Sequence, residues 1–132
     1  MIVLDASVLI AHLEATDRHH DRATELLLDA LDEPFGASPL TLAEVFVGPA
    51  RVGKLDAARA AIQQLEVTPV PLVDDAPVRL AGLRARTRLR LPDCCVLLAA
   101  EFAEAHIATF DDRLAESATG LGFTVRSHPS SR

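Results

Sequence analysis

The sequence has no tryptophan and no tyrosine, and its only aromatic residues of the Phe/Trp/Tyr class are five phenylalanines. Stacking of bases on rings therefore cannot be a dominant way of holding a ligand. Lysine occurs once, at Lys54, among 13 basic residues that face 19 acidic ones, for a formal charge of −6. That balance excludes a basic coat for nonspecific nucleic-acid binding. The two cysteines, Cys94 and Cys95, are adjacent; a disulfide between them would be strained and a zinc site would lack further thiols, so buried, reduced side chains are expected. The longest nearly uninterrupted apolar run, Cys94 to Ala100, falls far short of the roughly 20 residues of a membrane span. No basic lead precedes the apolar residues after Met1, so the expectation is a cytoplasmic protein without an export signal. Also missing are a Gly-rich phosphate loop, an H-E-x-x-H pair and a G-x-S-x-G elbow. What is present, 132 residues at 49% apolar and 24% charged, suits one globular domain with a single core.

Apolar periodicity organises the chain. Ile2 to Leu4 reads as a buried strand ending at Asp5, and Val8 to Leu13 begins a helical stretch. Between Arg18 and Asp32 the residues Ala23, Leu26, Leu27, Ala30 and Leu31 mark an amphipathic helix. After a short segment at Phe35 to Ala37, Thr41 to Val47 predicts a helix terminated by Gly48 and Pro49. Leu55, Ala58, Ile62 and Leu65 form another helix face. Val67 to Leu72 reads as a short strand whose prolines, Pro69 and Pro71, place it at an edge or near its ends. Helices follow at Asp74 to Arg86 and Asp93 to Glu104, the latter apolar on nearly every side. Short strands at His106 to Thr109 and Phe123 to Val125 flank a helical turn near Asp112 to Ser117. Strands about thirty residues apart with helices between them imply βαβ crossovers and a parallel sheet covered on both faces. The domain is expected over residues 1–126, with Ser127 to Arg132 as a loose tail.

Four acids stand out by position. Each also reads as a capping residue: Asp5 before a helix, Glu44 three residues after Thr41 in a capping-box spacing, Asp93 after Pro92 at a helix start, and Asp111 before a short helix. In an open parallel sheet, however, strand C-termini and the following helix N-termini share one edge, where ligands bind. Asp5 ends the first strand, Asp111 lies just past a late one, and Glu44 and Asp93 stand near helix starts. Carboxylates gathered there would repel one another unless a cation neutralised them, and oxygen-only ligands point to Mg²⁺ or Mn²⁺. Such a site can activate water and orient a phosphodiester, with one ion or with two about 3.5–4 Å apart.

The opening M-I-V-L-D-A-S-V-L, the T-L-A-E-V segment, L-P-D-C-C-V-L-L-A-A-E and A-T-F-D-D-R-L stand in the order found in PIN domains. Over Met1 to about Arg126 the chain resembles that family, and within it the VapC-type toxins of toxin–antitoxin pairs. The resemblance implies a single α/β domain with a short five-stranded parallel sheet between helices. It also implies a metal site at Asp5, Glu44, Asp93 and Asp111, with Ser7 and Thr109 as supporting hydroxyls. The implied activity is Mg²⁺- or Mn²⁺-dependent endonucleolytic cleavage of structured RNA, tRNA or rRNA, by metal-activated water, leaving a 5′-phosphate and a 3′-hydroxyl. The implied assembly is a homodimer neutralised by a VapB-type antitoxin whose C-terminal segment occupies the active-site groove. Asp111 is favoured over Asp112 by its T-x-D spacing; Asp112 reads as an exposed first-turn acid.

Arg79, Arg84, Arg86, Arg88 and Arg90 concentrate positive charge upstream of Asp93. They read as a solvated face, or Arg86, Arg88 and Arg90 as contacts to RNA phosphate or to an antitoxin carboxylate. His19 and His20 read as surface residues, His12 and His106 lack paired ligand spacing, and Phe46 and Phe110 read as core. Two other classes compete. A metal-dependent phosphatase or receiver domain needs a late lysine that the chain lacks, and the phosphatase also needs a second Asp where Ser7 stands. A catalytically silent PIN-like module would act only through its antitoxin complex.

Overall fold

Ile2, Val3 and Leu4 form strand β1 (Ile2–Leu4), and their side chains divide between two cores. The computed structural model describes residues 1–129; residues 130–132 of the expected tail lie outside them. Because successive strand side chains point to opposite faces, Val3 joins one core and Ile2 and Leu4 the other. Helix α1 (Ala6–Leu13) follows directly, then α2 (His20–Asp29), β2 (Phe35–Ala37), α3 (Pro39–Arg51) and α4 (Leu55–Gln64). Next come β3 (Thr68–Pro69), α5 (Ala76–Thr87), α6 (Leu91–Ala103), β4 (His106–Ala108), α7 (Asp112–Gly120) and β5 (Val125–Arg126).

All strand pairings are parallel and the sheet order is β3-β2-β1-β4-β5. The chain builds outward from β1 to β3 on one side, then crosses to lay β4 and β5 on the other. The order therefore reverses between β1 and β4, which makes a crevice at their C-terminal ends. Val3 and Ile107 face a core completed by α5, α6 and α7; Ile2, Leu4 and Ala108 face one completed by α1, α2, α3 and α4. This is the parallel sheet covered on both faces that the strand spacing implies. In α6 every residue from Cys94 to Ala100 is buried, because the helix packs against β1, β4, α3 and α5. Burial pushes both thiols up, and both cysteines are unpaired.

Two local expectations are corrected. Gly48 and Pro49 do not end the third helix: α3 runs on to Arg51 with Pro49 inside it. A proline this close to the end removes a bond only to the preceding turn, and α3 is held along its length by α1 and α4. The Pro49 carbonyl still accepts from Val52 N and Lys54 N at 3.2 and 2.8 Å. Thr41 is not an N-cap, because α3 begins two residues earlier after Ser38; its hydroxyl is buried without a hydrogen bond among the described residues. Elsewhere the elements shift slightly: the last strand is Val125–Arg126, α6 starts at Leu91, and Pro69 sits in the edge strand β3.

Gly36, in the middle of β2, is required by close approach. A Cβ there would stand 2.8 Å from Met1 Sδ and 2.9 Å from Val70 Cγ2. Gly36→Val is expected to destabilise the fold by about 1–3 kcal/mol, read as a lower urea midpoint at unchanged slope. Unchanged stability would show that β2 and β3 can separate freely.

Candidate active site

Asp5 directly follows β1 and occupies the N-cap position of α1, yet its side chain makes no capping bond. It is instead pinned from across the crevice. Ser7 Oγ donates to Asp5 Oδ2 at 2.7 Å and Thr109 Oγ1, just past β4, donates to the same oxygen at 2.8 Å. The direction of both bonds is fixed by backbone groups behind them: Phe110 N donates to Ser7 Oγ and Asp111 N to Thr109 Oγ1, each at 3.0 Å. An N–H cannot accept, so each hydroxyl has its proton free for Asp5. The Asp5 backbone N also bonds the Ala108 carbonyl at 2.9 Å, which ties β1 to β4 at the point where the acid is presented. Among the described residues no hydrogen bond engages Oδ1, the oxygen left for a ligand.

Glu44 projects from α3, Asp93 from the first turn of α6, and Asp111 from the N-cap of α7. Burial raises the Glu44 carboxyl above its ordinary value, and the negative charges of Asp5 and Asp93 raise it further against a lowering by Arg90. Asp93 is raised in the same way, by burial first and then by Asp5 and Asp111, with Arg90 and Arg113 opposing. The charges of Asp5 and Asp93 thus reach Glu44, and those of Asp5 and Asp111 reach Asp93, across the crevice. The four acids do not converge: among the described residues no three His, Cys, Asp or Glu side chains stand at metal-ligand spacing. Mutual repulsion favours rotamers that keep like charges apart. As a donor set, four carboxylates, of which Glu44 and Asp93 are raised by burial and by neighbouring acids, beside thiols that burial keeps protonated, fit a hard divalent cation.

Asp111 is both things the sequence allows. Its Oδ1 caps α7 by accepting from Arg113 N and Leu114 N at 2.9 and 3.1 Å, while its charge reaches Asp93. Asp112 is exposed in the first turn of α7. The upstream arginines separate. Arg90 acts on Glu44 and Asp93. Arg79 pairs with Glu101, and Arg86 lines a shallow groove beside that pair. Arg88 turns the chain at the end of α5 with a left-handed φ of 62°. Sequence reasoning misses Arg113, whose only signal is its place two residues after Asp111, and it sets aside His19 and Phe110. Phe110 is partly buried against the α1–α4 core as expected, and its ring also lies against His19 and Arg22.

Thr109→Val is expected to lower any activity that depends on Asp5 by about 10–100-fold, the usual effect of losing a group that orients a ligand. Thr109→Ser should restore most of it. If the valine variant kept full activity, the hydroxyl would not be positioning Asp5.

Together the fold and the site define a parallel α/β domain with an acidic crevice at its switch point. The chain belongs to the PIN domain family, which it matches over residues 2–119. No curated protein matches it in sequence. Among solved structures it is similar to a toxin–antitoxin complex from Klebsiella pneumoniae, at 23% identity and TM-score 0.75 over 100% of both chains. It is also similar to VapC20 of Mycobacterium tuberculosis, a sarcin-ricin loop cleaving toxin, at 20% identity and TM-score 0.77 over 98% of this chain and 100% of that one. A third is VapBC2 from Rickettsia felis bound to a promoter DNA fragment, at 13% identity and TM-score 0.71 over 96% and 98% of the two chains. At these identities the likeness is one of fold. No helix of the described residues is long and apolar enough to cross a membrane.

Proposed function

We propose that this chain is a VapC-type endoribonuclease toxin that depends on Mg²⁺ or Mn²⁺ and is neutralised by a cognate VapB-type antitoxin. The observation that carries the reading is Asp5, fixed at the β1/β4 switch point by Ser7 and Thr109 while Glu44 and Asp93 are raised by burial and then by its charge. Asp5, Glu44, Asp93 and Asp111 would hold the cation. When bound, it would supply Lewis acidity toward a phosphoryl oxygen and lower the pKa of water toward neutrality. Ser7 and Thr109 keep one Asp5 oxygen occupied and so present the other in a fixed direction. Arg90 offsets the charge around Glu44 and Asp93, and Arg113 that around Asp93; both would meet an RNA phosphate brought to the acids. The likeness to VapC20 and to antitoxin complexes supports the toxin reading; structured RNA, tRNA or rRNA, is the proposed substrate and a homodimer the proposed form.

The test is incubation of antitoxin-free protein with total cellular RNA and Mn²⁺. Discrete fragments bearing 5′-phosphates, lost on adding EDTA, are the expected result. Cleavage that survives EDTA would overturn the metal dependence, and no cleavage of any RNA would favour a silent binding module. A small open reading frame immediately upstream, whose product abolishes cleavage when added, is expected for the antitoxin.

A further inference from the structure

A cavity adjoins the crevice at Thr109. Its volume is about 190 Å³, and it opens between the start of α2, the loop after β4 and the residues after β5. Its walls include Arg18, His19, Arg22, Asp112 and His128, with Phe110 on its floor. Two arginines and two histidines therefore face one acid, in a chain whose overall charge is −6.

Arg22 is held ready for a ligand. Its guanidinium carbon lies 4.2 Å from the centroid of the Phe110 ring, and its Nε donates to the Ser127 carbonyl at 2.6 Å. Stacking and one hydrogen bond fix the plane of the group, which leaves the two terminal nitrogens as a pre-set fork. The His19 ring leans on Phe110 at 5.2 Å and accepts through Nε2 from Arg18 Nε at 3.2 Å. With Arg22 and His19 against it, the Phe110 ring serves to stack these side chains rather than a base. The chamber is thus suited to an anion with several oxygens.

Thr109 also lines this cavity, and it is the residue whose hydroxyl pins Asp5. The chamber and the acids therefore share a wall. Cations also stand at the starts of helices that build opposite cores: Arg90 precedes α6, while Arg18 and Arg22 flank the start of α2. A polyanion crossing the sheet edge would meet positive charge on both sides of the carboxylates.

We propose that Arg18, His19, Arg22 and His128 form a phosphate subsite that takes the RNA backbone next to the scissile bond; this rests on the nuclease reading above. The subsite compensates for the acidic net charge by holding phosphate where the acids would otherwise repel it. It reads backbone rather than bases and so adds affinity without sequence preference.

The test compares the wild type, Arg18→Ala, Arg22→Gln and Arg18→Lys. Binding of a fluorescein-labelled tRNA pool is followed in EDTA across a salt series, and cleavage of unlabelled tRNA in Mn²⁺. Arg18→Ala and Arg22→Gln are each expected to weaken binding several-fold and to flatten the salt slope by about one. Cleavage should fall through KM rather than kcat, and Arg18→Lys should bind close to wild type. If the wild type cleaves tRNA while Arg18→Ala and Arg22→Gln bind it unchanged, the subsite is wrong and the nuclease reading stands. If the wild type neither binds tRNA nor cleaves it or any other cellular RNA, both fall. Loss of affinity for a labelled Glu-rich peptide with RNA binding intact would make the chamber a peptide carboxylate site instead. Arg22 also contacts Phe110 and Ser127, so if Arg22→Gln melts early, exposed Arg18 alone decides.

Discussion

Replacing Asp5 by Asn is expected to reduce divalent-dependent RNA cleavage by more than the roughly 10–100-fold that loss of a supporting group costs at metal sites, with the fold intact. Ser7 and Thr109 both present protons to Oδ2, so the asparagine oxygen takes that inner position. Its NH₂ then turns outward to where the free carboxylate oxygen stood. The substitution removes a charge and puts a donor where a cation needs an acceptor. The hydroxyl bonds survive, and near-wild-type thermal stability in EDTA separates this outcome from unfolding. Retention of more than a tenth of the wild-type rate would remove Asp5 from the proposed site.

Asp93→Asn should do the opposite to stability. In EDTA it is expected to melt above the wild type, because Asp93 is half-buried near Asp5 and Asp111 and its carboxyl is raised by burial and by their charge. A carboxyl raised on folding binds protons more tightly in the folded chain, so its charged form is a net cost. The cost is full above the raised value and fades as pH falls through it toward the ordinary carboxylate range. The advantage of Asp93→Asn over wild type should therefore shrink on acidification from pH 7. Mn²⁺ works the other way. A ligand at a hundredfold its Kd stabilises by about 2.7 kcal/mol, on the order of 10 °C for a domain of this size, and with at least a tenfold weaker site Asp93→Asn should show about half of the wild-type shift or less. Equal Mn²⁺ shifts in both would place the cation away from Asp93. A lower melting point for Asp93→Asn in EDTA would make Asp93 a stabilising residue.

Much of this site is legible from local pattern. Asp5 follows three apolar residues that can only be a short buried strand, and the T-x-D spacing puts Thr109 and Asp111 just past another. The helix start at Pro92 marks Asp93. What the pattern hides is nonlocal. Nothing in the spacing says that β1 lies between β2 and β4, so the switch point that makes Asp5 and Thr109 neighbours emerges only from the sheet. The same holds for the two hydroxyls: Ser7 is oriented by the Phe110 N–H from the far end of the chain, and Thr109, oriented locally by Asp111 N–H, reaches Asp5 only across the sheet. Helix α3 outruns Gly48 and Pro49 because its packing on α1 and α4 overrides a local stop signal. Arg22 and Phe110 look unremarkable apart and become a stacked pair only when α2 and β4 meet on the same face.

The most direct measurement is a titration of Mn²⁺ into the antitoxin-free protein, with free Mn²⁺ read by electron paramagnetic resonance. It compares the wild type with Asp5→Asn, Asp93→Asn and Asp112→Asn. The account predicts that the wild type and Asp112→Asn bind Mn²⁺ alike, while Asp5→Asn and Asp93→Asn lose at least about tenfold in affinity. Unchanged Mn²⁺ binding by Asp5→Asn and Asp93→Asn would contradict it.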